Sequence, residues 1–109
     1  MELEPEKIPL REDSHGVLRV AGTRVSLESV VEAFREGCTP EAIVERFPSV
    51  PLADVYLVLA FYLRHPIQVE AYLEQQRARA DALQERVERR FPAHGLRARL
   101  LARQATAAG

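Results

Sequence analysis

The sequence predicts a mainly α-helical fold: a winged helix-turn-helix, homeodomain-like core with a small N-terminal β-hairpin and a long C-terminal helix. Three observations predict it. From Leu27 onward, apolar residues recur at spacings of three and four in successive segments. Capping and breaking residues punctuate those segments. The clearest alternating stretch, residues 17–27, is short and surrounds a glycine.

Each element has its own justification. Residues 1–12 show no periodicity and are expected to be loosely held. In VLRVAGTRVSL, two short β-rich runs flank Gly22-Thr23, which reads as a hairpin with Gly22 taking the positive φ of the turn. Ser26 stands where an N-cap belongs, and Leu27, Val30, Val31 and Phe34 form a helical stripe that Gly37 ends as a C′ residue. Thr39 and Pro40 then cap and open a second helix that buries Ala42, Ile43 and Phe47. After the turn Pro48–Pro51 a third helix, LADVYLVLAFYLR, runs to Pro66, because the residue before a proline is pushed out of the α region. From Pro66 to Phe91 a single helix of ~38 Å is expected at ~1.5 Å per residue. Val69, Leu73, Gln76, Ala80, Leu83 and Val87 give it a heptad-like seam. Pro92 and Gly95 break it, and residues 96–104 have only a weak apolar face in Leu96, Leu100 and Leu101. The organisation expected is therefore a flexible segment over 1–12, a helix-turn-helix domain over 13–75 and a basic helical arm over 76–109.

Charge is distributed unevenly along the chain. The net charge is −1, yet residues 77–109 hold eight arginines against three acids, while residues 1–76 carry net −6. The basic end is where an acidic partner would bind. All but one of the 15 basic residues are arginine, which is either a compositional bias or a choice of the side chain best suited to forked pairing with carboxylate or phosphate. No apolar run is long enough to cross a bilayer and the N-terminus is acidic, so a cytoplasmic protein with no membrane association is expected.

The parts of an enzyme are missing from this sequence. His15, His65 and His94 lack metal-ligand spacing, and Cys38 has no basic neighbour to activate it. No glycine-rich phosphate loop, nucleophile elbow or paired-carboxylate motif is present. No catalytic residue, metal or cofactor is therefore expected. The third helix also lacks the polar face with which a recognition helix reads base edges, so any DNA contact is assigned to Arg19, Arg24, Arg64 or the basic tail. A helix so apolar is instead expected to serve as core and dimer interface, with Val55, Leu59, Tyr62, Leu73, Leu83 and Val87 as the interface residues of a homodimer.

Several short motifs together carry a family resemblance. They are Gly22-Thr23-Arg24-Val25, Glu36-Gly37, Thr39-Pro40-Glu41 with Ile43, Phe47-Pro48-Ser49, Asp54-Val55, Ala60-Phe61-Tyr62-Leu63-Arg64 and Ala71-Tyr72-Leu73. Over about residues 13–75 the chain resembles the family catalogued as domain of unknown function 433, whose members are similar to VapB-type antitoxins. Where that family usually has Gly-Gly-x-Pro ahead of Gly-Thr-Arg, this chain has Ser14-His15-Gly16-Val17, so no role carries over to that loop. The resemblance implies a winged helix-turn-helix fold, a PIN-like ribonuclease toxin as partner and repression of the chain's own promoter through operator DNA. An arginine-rich helix suits the acidic, metal-binding groove of such a nuclease, and Arg86, Arg89, Arg90, Arg97, Arg99 and Arg103 are the candidate contacts. Against this stands a solvated helix face with one Glu85–Arg89 pair. The alternatives to an antitoxin-like binder are a DNA-binding regulator without a toxin and a homodimeric structural or interaction protein.

Overall fold

The computed structural model describes residues 1–90 and is mostly helical, with four helices and one small antiparallel sheet. The elements are β1 (Leu10–Glu12), β2 (Leu18–Val20), α1 (Leu27–Arg35), α2 (Pro40–Arg46), α3 (Leu52–Arg64) and α4 (Pro66–Arg90). The chain divides into two compact units, Met1–Leu73 and Glu74–Gly109, the second described as far as Arg90.

The helix boundaries follow from their capping chemistry. The Ser26 hydroxyl accepts from the Ser29 amide at 3.1 Å and starts α1. Gly37, at φ 97°, ends it: its N–H donates to the Phe34 carbonyl and that of Cys38 to the Ala33 carbonyl, each at 3.0 Å. These two bonds satisfy carbonyls that the helix end would otherwise leave unpaired, in the pattern of a Schellman motif. Thr39 accepts from the Ala42 amide at 3.1 Å, and Pro40 opens α2. Pro51 precedes α3 without a side-chain cap, and Pro66 opens α4 directly after His65 closes α3.

The hairpin differs from the sequence expectation. β2 pairs with β1, in the register Leu10↔Val20, Arg11↔Arg19, Glu12↔Leu18, so residues 10–12 belong to the sheet. Residues 24–26 contribute no strand, only the isolated bridge Arg19↔Ser26. The two strands are joined by a turn in which Gly16 takes φ 79° and its N–H donates to the Asp13 carbonyl at 3.1 Å. The positive φ expected of Gly22 falls instead on Ala21, at 47°. The Thr23 N–H closes the turn onto the Val20 carbonyl at 3.0 Å, which leaves Ala21 as its first central residue.

The core of the first unit draws buried residues from every element but β1, whose partly buried Leu10 packs against it. Val20 comes from β2, Leu27, Val30, Val31 and Ala33 from α1, Ile43 from α2, Val50 from the following turn, Val55, Val58 and Leu59 from α3, and Val69 and Leu73 from the start of α4. Each fully buried aliphatic side chain contributes ~1.5–3 kcal/mol of transfer free energy. α3 packs against both α1 and α2. Ala42 and Phe47, expected in the core, are only half-buried.

Candidate macromolecule-binding surfaces

The hairpin region is bound into one network. Asp13 Oδ1 accepts from the amides of His15 at 2.8 Å and Val17 at 3.0 Å, and its Oδ2 pairs with Arg19 Nε at 3.2 Å. Amide donation from Val17 and His15, with Arg19 adding charge, holds the Asp13 carboxyl below the usual aspartate range. The same Arg19 donates through Nη1 to the Arg24 carbonyl at 2.6 Å. Thr23 Oγ1 donates to the Val20 carbonyl at 2.7 Å and accepts from the Val25 amide at 3.1 Å. Arg19, expected as a DNA contact, is thus engaged within the fold. Arg24 lends its carbonyl to the network while the residue remains exposed.

The first unit also fastens its last helical segment. Tyr62 donates from its hydroxyl to Glu70 Oε1 at 2.7 Å, Arg35 pairs with the same carboxylate, and the Arg35 guanidinium lies 5.9 Å from the Tyr62 ring centroid. The Tyr72 hydroxyl accepts from the Leu18 amide at 2.7 Å, tying β2 to α4. Ala60 and Arg64 line a pocket of about 360 Å³ with Glu6, Ile8, Leu57, Phe61 and His65. Sequence reading found neither fastening, because the partners lie 8 to 54 residues apart with no local motif to announce them.

The expected dimer interface requires correction. Val55, Leu59 and Leu73 are buried within their own chain, so they cannot also meet a second copy. Tyr62 is half-buried and held by Glu70. Leu83 and Val87, in the second unit, are 61% and 51% exposed. The exposed apolar residues of the first unit lie elsewhere, and include Leu52, Tyr56, Leu63 and Ile67. Tyr56 donates to Glu41 Oε1 at 2.6 Å, a bond that lowers the Glu41 pKa and raises that of Tyr56. The angular positions of these residues around α3 were the available signal for that face.

In the second unit every residue from Arg77 to Arg90 is exposed, including Arg86, Arg89 and Arg90. Arg89 stands 4.0 Å from Glu85, the i, i+4 pair expected, and both side chains are well solvated. The break at Pro92 and Gly95, the short segment 96–104, and the candidates Arg97, Arg99 and Arg103 lie outside the described residues. Among the described residues no group of three or more His, Cys, Asp or Glu is arranged to hold a metal, and no helix is long and apolar enough to cross a membrane.

The described residues form a small, mainly helical module with a two-stranded antiparallel sheet near its N-terminus. Over residues 12–62 it matches the model of the family described as Protein of unknown function (DUF433), so that stretch of the chain is similar to this family. The match takes in β2, α1, α2 and α3 as far as Tyr62; the resemblance noted beyond it, including Ala71-Tyr72-Leu73, falls outside. No curated protein and no solved structure matched the chain.

Proposed function

We propose that this chain is an antitoxin-like binding protein whose C-terminal arm neutralises a PIN-like ribonuclease. The observation that carries the reading is the exposure of residues 77–90, a helical stretch that buries nothing of its own yet displays Arg86, Arg89 and Arg90 beside the apolar Leu83 and Val87. Most helical stability comes from packing of one face against other structure, so a stretch of α4 without such packing gains from a partner that covers it. The partner that suits it is acidic. A nuclease groove that gathers carboxylates around divalent metal offers each guanidinium a forked, charge-assisted pair, and an arm seated there would hold positive charge where the metal otherwise sits.

In the first unit, α2 and α3 joined by the turn at Pro48–Pro51 are the helix-turn-helix of this proposal, with the β1–β2 hairpin as its wing. Operator binding has less support. The outward residues of α3 include Leu52, Tyr56 and Leu63, which offer few hydrogen bonds to base edges. Arg24 and Arg64 are exposed and suited to phosphate, and Arg19 is occupied by Asp13. A DNA contact of this kind would position the protein without selecting a sequence.

The test is charge reversal in the full chain. Replacing Arg86, Arg89 and Arg90 by Glu is expected to weaken inhibition of the ribonuclease encoded beside it at least tenfold, about 1.4 kcal/mol. Binding by the unaltered chain should weaken as salt rises. Inhibition unchanged by the triple substitution would leave these arginines as a solvated helix face.

A further inference from the structure

We propose that the outward face of α3 is a self-association surface on which a second copy of the chain packs in antiparallel fashion. At about 100° per residue, Leu52, Ala53, Tyr56, Ala60, Leu63 and Arg64 fall on one arc of about 120°. All six are exposed, with Leu52 at 41%, Tyr56 at 49% and Leu63 at 63%. The arc from Val58 through Val55 to Leu59, which adjoins this one at Leu52, turns into the chain's own core.

The order of residues along this face singles out a second copy as the occupant. Two α3 helices related by a two-fold axis at the level of Val58 would set Tyr56 opposite the partner's Ala60, and Ala53 opposite the partner's Leu63. Large thus meets small at both levels on each side of the axis, which is what an isologous helix contact needs for close approach. Parallel packing would set Tyr56 against Tyr56 and leave alanine against alanine.

The charges agree with the same arrangement. Glu41, bonded to Tyr56, places acid beside the N-terminal half of the face, and the C-terminal end carries Arg64, which lines a pocket with Glu6. Antiparallel packing brings Arg64 beside Leu52 of the partner subunit, about one helical turn from the partner's Tyr56 and the partner's Glu41, and does so twice. Parallel packing would set like charges side by side. The Tyr56–Glu41 hydrogen bond fixes the aromatic ring in place before association, which reduces the ordering that binding must impose.

Sedimentation of the full chain at micromolar concentration is the first measurement, with a species of about twice 12.3 kDa expected. Ala60→Arg, at an exposed position in mid-helix, should return it to 12.3 kDa with an unchanged far-ultraviolet dichroism spectrum. Orientation is read by disulfide trapping in a Cys38→Ala background: Tyr56→Cys mixed with Ala60→Cys should cross-link between unlike chains in preference to like ones. A wild-type chain at 12.3 kDa would overturn the proposal. So would Ala60→Arg remaining dimeric, which would place association elsewhere, for example on Leu83 and Val87. Preferential cross-linking between like chains would overturn the antiparallel arrangement.

Discussion

Asp13 shows how much one side chain can organise. Its carboxylate fixes the turn between β1 and β2 by accepting two amides, and through Arg19 it reaches the Arg24 carbonyl on the far side of β2. Because Val17 and His15 donate to the ionised form, the folded-state pKa is lowered, and the sign of the pH dependence follows. The stabilisation is present above the ordinary aspartate value, about 3.9, and is lost as pH falls through the lower folded-state value. Urea midpoints measured at pH 7 and pH 3 are therefore expected to fall further for the wild-type chain than for Asp13→Asn. Equal losses would mean that this carboxylate does not couple to folding. Arg19 was legible in the sequence as a charged residue near a turn, but its role was not. A phosphate contact and an internal clamp use the same guanidinium, and Asp13, six residues away, decides between them.

At the scale of elements, the helix ends could be read closely because their chemistry is local. Ser26, Gly37, Thr39, Pro40 and Pro66 all do what their residue types allow within a few residues of themselves. Gly37 gives a quantitative expectation. Its φ of 97° lies where an L side chain is strained, although a Cβ there would meet no atom within 4 Å. Gly37→Ala is expected to lower unfolding free energy by about 1–2 kcal/mol in urea melts, with unchanged helix content. A cost near zero would show that the end of α1 can relax without its Schellman bonds. The hairpin was harder to read, since a three-residue strand such as β1 is too short to show alternation, and Leu10–Glu12 is recognisable only once β2 lies beside it. The faces of α3 were hidden for a different reason. A segment apolar nearly all round does not reveal which arc meets its own core; α1 and α2 decide that in three dimensions, and they chose Val55 and Leu59.

For the molecule as a whole, the division falls between Leu73 and Glu74, just before charge changes sign along the chain. Among the described residues the hydrophobic core lies wholly in the first unit, Met1–Leu73, and the described part of the second, from Glu74 to Arg90, is helix alone. The exposure of residues 77–90 was foreseeable because a helix of 25 residues is longer than so small a core can cover. What it meets was not, since the same arginines serve a solvated face or an acidic groove equally well by sequence. The division of labour proposed here, a core that holds and an arm that inhibits, is tested most directly by ending the chain after Gln76. The measurement is inhibition of the proposed ribonuclease partner, with thermal unfolding of the shortened chain followed in parallel. A shortened chain that still melts cooperatively but no longer inhibits is the expected result. A folded core that inhibits as strongly as the full chain would contradict the account.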